Sequence, residues 1–143
     1  GRVNLIVGDE ISAVFGLEDD PRVACRQAVA CALDMQERMA TLTRVVEQEF
    51  SVSLAIGVGI HYGPVIVGKV GPSDDLQFGL VGDTVNIASR LESQTKALQV
   101  PIVVSATVAA ELEPDQNWVV SPQQRVALKG ISSPFPVHSI HPA

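Results

Sequence analysis

The sequence is poor in cysteine: Cys25 and Cys31 are the only two in 143 residues. They fall six apart on one predicted helix, about 240° around its axis at 3.6 residues per turn, so they cannot bridge each other. Core packing is the expected role of both, and nothing in this usage points to an oxidising compartment. No apolar run approaches the ~18 residues that a membrane span needs. No secretory leader is visible, so a cytoplasmic location is the default expectation. Positive charge is also scarce: 10 Lys and Arg against 16 Asp and Glu leave a net charge of −6. That balance excludes a nucleic-acid groove but not a nucleotide, because a local Arg, Lys or divalent cation can supply the field. The glycine-rich segments never run into Gly-Lys-Ser/Thr, which excludes a P-loop. Repeats, low-complexity tracts and linkers are absent from the sequence as well.

What is present is enough apolar material for one domain with a core: 46% of the residues are hydrophobic. Val3–Val7 and Ile11–Phe15 are β-rich runs joined by Gly8-Asp9-Glu10, a hairpin signal. Pro21 opens a long helix whose apolar positions Ala24, Ala28, Cys31, Met35, Met39, Leu42 and Val46 step by three or four. Val52–Ile60 reads as a strand, Gly63-Pro64 breaks it, and Val65–Val67 starts another. Gly71–Asp75 is a loop by composition and Leu76–Val81 a short strand. Asp83 is the expected N-cap of the next helix. Pro101–Val104 is a strand, Ser105 caps a short helix through Ala110, and Arg125–Leu128 with Phe135–Ile140 form a closing hairpin. Trp118 and Phe50 are expected in the core. This mixture predicts an α+β fold, with helices on one face of a mainly antiparallel sheet.

The most telling stretch is Gly79-Leu-Val-Gly-Asp-Thr-Val-Asn-Ile-Ala-Ser-Arg-Leu-Glu-Ser93. It reads as a tight turn followed by a helix on which Asn86 and Arg90, four apart, share a face while Val85, Ala88 and Leu91 pack inward. An Asn–Arg pair beside a Gly-rich turn suits a phosphorylated ligand, since Arg forks onto phosphate oxygens and stabilises charge developing on them. This segment resembles the signature of the class III nucleotide cyclases, the adenylate and guanylate cyclase family. Val7-Gly-Asp-Glu-Ile-Ser-Ala-Val-Phe-Gly16 and Val58-Gly-Ile-His-Tyr-Gly-Pro-Val-Ile-Val-Gly-Lys-Val-Gly71 support the match in order and spacing, and the likeness runs to about Ile140.

The resemblance implies a ferredoxin-like cyclase fold, with residues 1–143 as one catalytic domain. The family begins with a strand and helix carrying a Phe-x-Asp-Ile-x-x-Phe-Thr-like motif. This sequence starts just after that motif, so the domain is expected to be N-terminally incomplete and to lack the second metal-binding Asp. The implied activity is conversion of ATP, with GTP as the alternative, to a 3′,5′-cyclic nucleotide and pyrophosphate. Mg²⁺ or Mn²⁺ is the implied cofactor. By resemblance Asp9 binds the metal, Asn86 orients the ribose, Arg90 stabilises the transition state and Lys129 holds terminal phosphates. Glu10 is expected to point away, and His61 to be structural. Family sites form at a dimer interface, so a homodimer with two shared sites is expected. Leu5 and Gly79 stand where the family reads the base, yet neither has a polar side chain, which predicts weak purine discrimination. The same departures leave open a catalytically inactive nucleotide-binding or dimerisation module.

Overall fold

Asp20 and Pro21 start the longest element, helix α1 (Pro21–Phe50). The Asp20 carboxylate accepts from the Arg22 N–H at 2.9 Å, and Pro21 occupies a first-turn position where no N–H is required. The computed structural model describes residues 1–73 and 77–143. Ahead of α1 lies the hairpin β1 (Arg2–Val7) and β2 (Glu10–Val14). After it come β3 (Val58–Ile60), β4 (Ile66–Val70), β5 (Gln77–Val81), α2 (Asp83–Leu98) and β6 (Ile102–Ser105). The chain closes with α3 (Ala106–Glu111), β7 (Trp118–Val120), β8 (Gln124–Val126) and β9 (Phe135–Pro142). Strands β3, β6, β9 and β7 pair in that order, with β8 also on β9; β3–β6 is parallel and the other pairings are antiparallel. β1–β2 and β4–β5 form separate antiparallel hairpins. Asp74 and Asp75 of the expected loop, and Leu76 of the expected strand, lie outside the described residues.

β6 organises the core. All four of its residues are fully buried, so the strand is covered on both faces. Ile102 and Val104 join Cys25, Val29 and Ala32 of α1, Val108 of α3, Trp118 and Ile140. Val103 points the other way, into a cluster with Leu91 of α2, Val126, Leu128 and Val137. The α+β architecture holds, while the helical cover is shared: α1 and α3 line one face and α2 the opposite one. Strand alternation dictates this, because Ile102 and Val104 on one face of β6 and Val103 on the other each need apolar cover.

Several local expectations are corrected. Of the predicted α1 stripe, Ala24 and Ala28 are buried, but Cys31, Met35 and Leu42 are exposed. The buried line runs through Cys25, Val29 and Ala32, because only the first turns of α1 cross the short sheet. Burial, with a smaller effect of Glu111, pushes the Cys25 thiol up to about 11, so it is an inert core group. Cys31 has no such role, and Phe50 is 67% exposed at the helix end. Of the strand expected over Val52–Ile60, only Val58–Ile60 pairs. The preceding residues are tied to α1 instead: Thr43 Oγ1 donates to Leu54 O at 2.7 Å and Gln36 Nε2 to Ile56 O at 3.0 Å. β7 was not legible in the sequence.

Candidate functional site

Helix α2 carries the candidate phosphate-binding face. Its N-cap is Gly82 rather than Asp83; Asp83 is already the first helical residue, where its charge suits the positive end of the helix. Thr84 Oγ1 donates to Pro64 O at 2.6 Å and ties this turn to the segment after β3. Leu91 is fully buried beneath the helix, which leaves Asn86, Arg90 and Gln94, spaced by four, along a different face. Asn86 is exposed at the N-terminal end and Arg90 is half-buried.

The Arg90 guanidinium rests against the turn between β8 and β9. A Cβ at Gly130 would stand 3.6 and 3.7 Å from its two terminal nitrogens. Gly130 has φ 77, a left-handed conformation that glycine adopts freely. Lys129, exposed, immediately precedes it. The fold thus brings Arg90 to the Lys129–Gly130 turn although Arg90 and Lys129 lie 39 positions apart in sequence. One turn further on, Gln94 Nε2 donates to Ala127 O at 3.4 Å and ties α2 to the same loop. Among the described residues Arg90 has no carboxylate partner, whereas Arg22, Arg26 and Arg38 each form ion pairs. A half-buried guanidinium without a carboxylate partner, beside a lysine, is a site for an anion.

Asp9 stands exposed at the tip of the β1–β2 hairpin. Glu10 does not simply point away: its Oε1 accepts from Ser89 Oγ at 3.5 Å, which docks the hairpin tip on α2. Among the described residues no group of three or more His, Cys, Asp or Glu side chains is placed to hold a metal ion. Asp9 can supply one or two of the roughly six ligands that octahedral Mg²⁺ or Mn²⁺ takes. The donors among the described residues therefore do not make a metal site without further ligands. Leu5 is 54% exposed on β1, which touches β5, the strand bearing Gly79. The β1–β2 register slips between Val3 and Leu5, a bulge at Asn4, whose buried Oδ1 has no hydrogen-bond partner among the described residues.

His61 is structural, as its sequence setting suggests. Its Nδ1 lies 2.9 Å from Ser105 Oγ, which lies 2.8 Å from Thr107 Oγ1, and Thr107 donates to Tyr62 O at 2.9 Å. Burial lowers its pKa below the ordinary value, so the ring is held neutral. Sequence reading missed Gln94 and Gly130. The four-residue series 86, 90, 94 gave a signal for Gln94; the contact of Gly130 with Arg90 gave none, since it exists only in the fold.

The sequence profile of the "Adenylate and Guanylate cyclase catalytic domain" matches residues 2–141. Adenylate cyclase 1 of Rhizobium meliloti (strain 1021) is 32% identical over 104 residues, 73% of this chain and 16% of that protein. Adenylate cyclase of Anabaena cylindrica is 29% identical over 122 residues, 82% of this chain and 23% of that protein. The chain therefore spans less than a quarter of either relative. The crystal structure of the guanylyl cyclase Cya2 superimposes with a TM-score of 0.83 at 28% identity, over 98% of this chain and 69% of that one.

Proposed function

Because the chain belongs to the adenylate and guanylate cyclase catalytic domain family, we propose that it cyclises a purine nucleoside triphosphate, ATP before GTP, to the 3′,5′-cyclic monophosphate and pyrophosphate. The observation that carries this reading is the half-buried Arg90, without a carboxylate partner among the described residues and set against the Lys129–Gly130 turn. In the reaction the ribose 3′-oxygen bonds to the α-phosphorus as the bond to the pyrophosphate oxygen breaks, and the hydroxyl proton is released. Phosphoryl chemistry of this kind is governed by positioning and charge neutralisation. Asn86 orients the ribose. Arg90 meets the charge that grows on the α-phosphate oxygens, and Lys129 holds the terminal phosphates.

The family generally uses divalent cations, and Mg²⁺ or Mn²⁺ would neutralise phosphate charge, with Asp9 as this chain's carboxylate for it. Since one carboxylate does not make a site, no step is assigned to the metal. We place the protein in the cytoplasm as a homodimer with shared sites. The apolar side chains exposed on both hairpins, among them Ile6, Val7, Ile66 and Val81, support such an association. Among the described residues no helix is long and apolar enough to cross a membrane.

ATP is favoured by the two adenylate cyclase relatives, while the likeness to a guanylyl cyclase keeps GTP in view. Leu5 and Gly79 offer no polar side chain to a base edge, so the preference should stay well below the ~10⁴-fold that buried hydrogen-bonding groups give. A second reading, a nucleotide-binding module without chemistry, is favoured by these same two positions. Incubation of the whole protein with ATP and with GTP, under Mg²⁺ and under Mn²⁺, followed by chromatography of the products, separates the two. Cyclic nucleotide from ATP, with modest discrimination in kcat/KM, is the expected result. Nucleotide binding with no cyclic product from either would favour the module.

A further inference from the structure

Helix α2 lies close against β3, and glycine makes that approach possible. A Cβ at Gly59 would collide with the α2 backbone at Glu92 N and Ala88 O, with Leu91 C 2.8 Å away. One residue pair earlier, a Cβ at Gly57 would collide with Thr95 Oγ1 and sit 3.1 Å from Thr95 Cβ. The two contacts differ in kind, because a side chain can rotate aside and a helix backbone cannot. Gly59 also pairs with Val103, whose side chain packs on Leu91, so one small and one large residue seat the same turn of α2. The backbone atoms that Gly59 meets, from Ala88 to Glu92, bracket Arg90.

We infer that Gly59 is a positioning residue: its missing side chain sets the height of α2 over the sheet, and with it the place of the Arg90 guanidinium against the Lys129–Gly130 turn. The inference rests on Arg90 being the phosphate ligand proposed above. A methyl group at position 59 requires ordinary van der Waals separation from fixed backbone atoms, so α2 has to lift by about 1 Å in a close-packed interior. A shift of about 1 Å at a reacting group costs about 10²-fold in rate. Arg90 is proposed to act on charge that appears in the transition state, so the loss falls on kcat and not on KM.

The test uses the whole protein with ATP. Per folded molecule, Gly59→Ala should lower kcat about 10²-fold and leave KM within about threefold. In an Arg90→Ala background the same substitution should cost little more, because both changes remove one interaction. A crystal structure of Gly59→Ala should show α2 displaced from β3 by about 1 Å. Unchanged kcat, losses that simply multiply with Arg90→Ala, or an unmoved helix would each overturn the inference. Should Gly59→Ala not fold, Gly57→Ala replaces it: the Thr95 hydroxyl can rotate aside, but Thr95 Cβ, 3.1 Å away, moves only with the helix, so α2 lifts by a few tenths of an ångström and about tenfold lower kcat with the same non-additivity is expected, while unchanged kcat overturns the inference. If the wild-type protein makes no cyclic nucleotide, the proposed function fails separately, and the displacement of α2 alone decides the role of Gly59.

Discussion

His61 shows how a suggestive residue becomes a structural one. It sits at the end of β3 among glycines, yet its ring is held by Ser105 and edged by Phe135 at 5.8 Å between centroids. Burial lowers its folded pKa, so in a falling pH the unfolded chain takes up the proton first. The stability contributed by the neutral ring is therefore complete above the ordinary value near 6.5 and is lost as pH drops from there through the folded pKa. Urea midpoints at pH 7.5 and 5.5 should fall with acid in the wild type and fall less in His61→Gln. Equal falls would show that other groups set this dependence. The residue identities of the candidate site were legible in sequence, since Asn86, Arg90, Asp9 and Lys129 stand in recognisable runs. That Arg90 has no carboxylate partner among the described residues was not, because partners up to 91 residues distant, such as Arg22 and Glu113, meet only after folding.

Among the elements, the hairpins, both long helices and the capped α3 could be read from turn chemistry and apolar spacing. Ser105 does accept from Val108 N, at 3.4 Å. Two features escaped for one physical reason: a strand exists only where a partner takes its hydrogen bonds. Val52–Gly57 has strand-like composition but is held by Gln36 and Thr43 of α1. Val119, more than half exposed, hides β7, whose register with β9 comes from tertiary pairing. Hydrogen exchange should follow this division. Amides of β6, buried on both faces, should exchange only through global unfolding, whereas those of residues 52–57 and the β1–β2 hairpin should exchange orders of magnitude faster. Uniform protection across these segments would contradict the assignment of the core to β6.

For the whole molecule, the buried core is gathered around β6 and β9, while the two separate hairpins present apolar side chains outward. Ile66 is 72% exposed and Ile6 64%. Such surface is characteristic of association rather than of an isolated domain. If the β4–β5 hairpin serves the proposed homodimer, Ile66→Lys should shift sedimentation toward monomer and lower specific activity in a way that higher protein concentration restores. A dimer and an activity both indifferent to Ile66→Lys would remove that hairpin from the interface. The account as a whole turns on Arg90, and the direct measurement is cyclic nucleotide formation by wild type and Arg90→Ala at matched folded concentration. Losing one electrostatic donor to the transition state should cost about 10²–10³-fold in kcat, roughly 2.7–4 kcal/mol, with little change in melting temperature. Activity in Arg90→Ala equal to that of the wild type, or lost only in step with unfolding, would contradict the account.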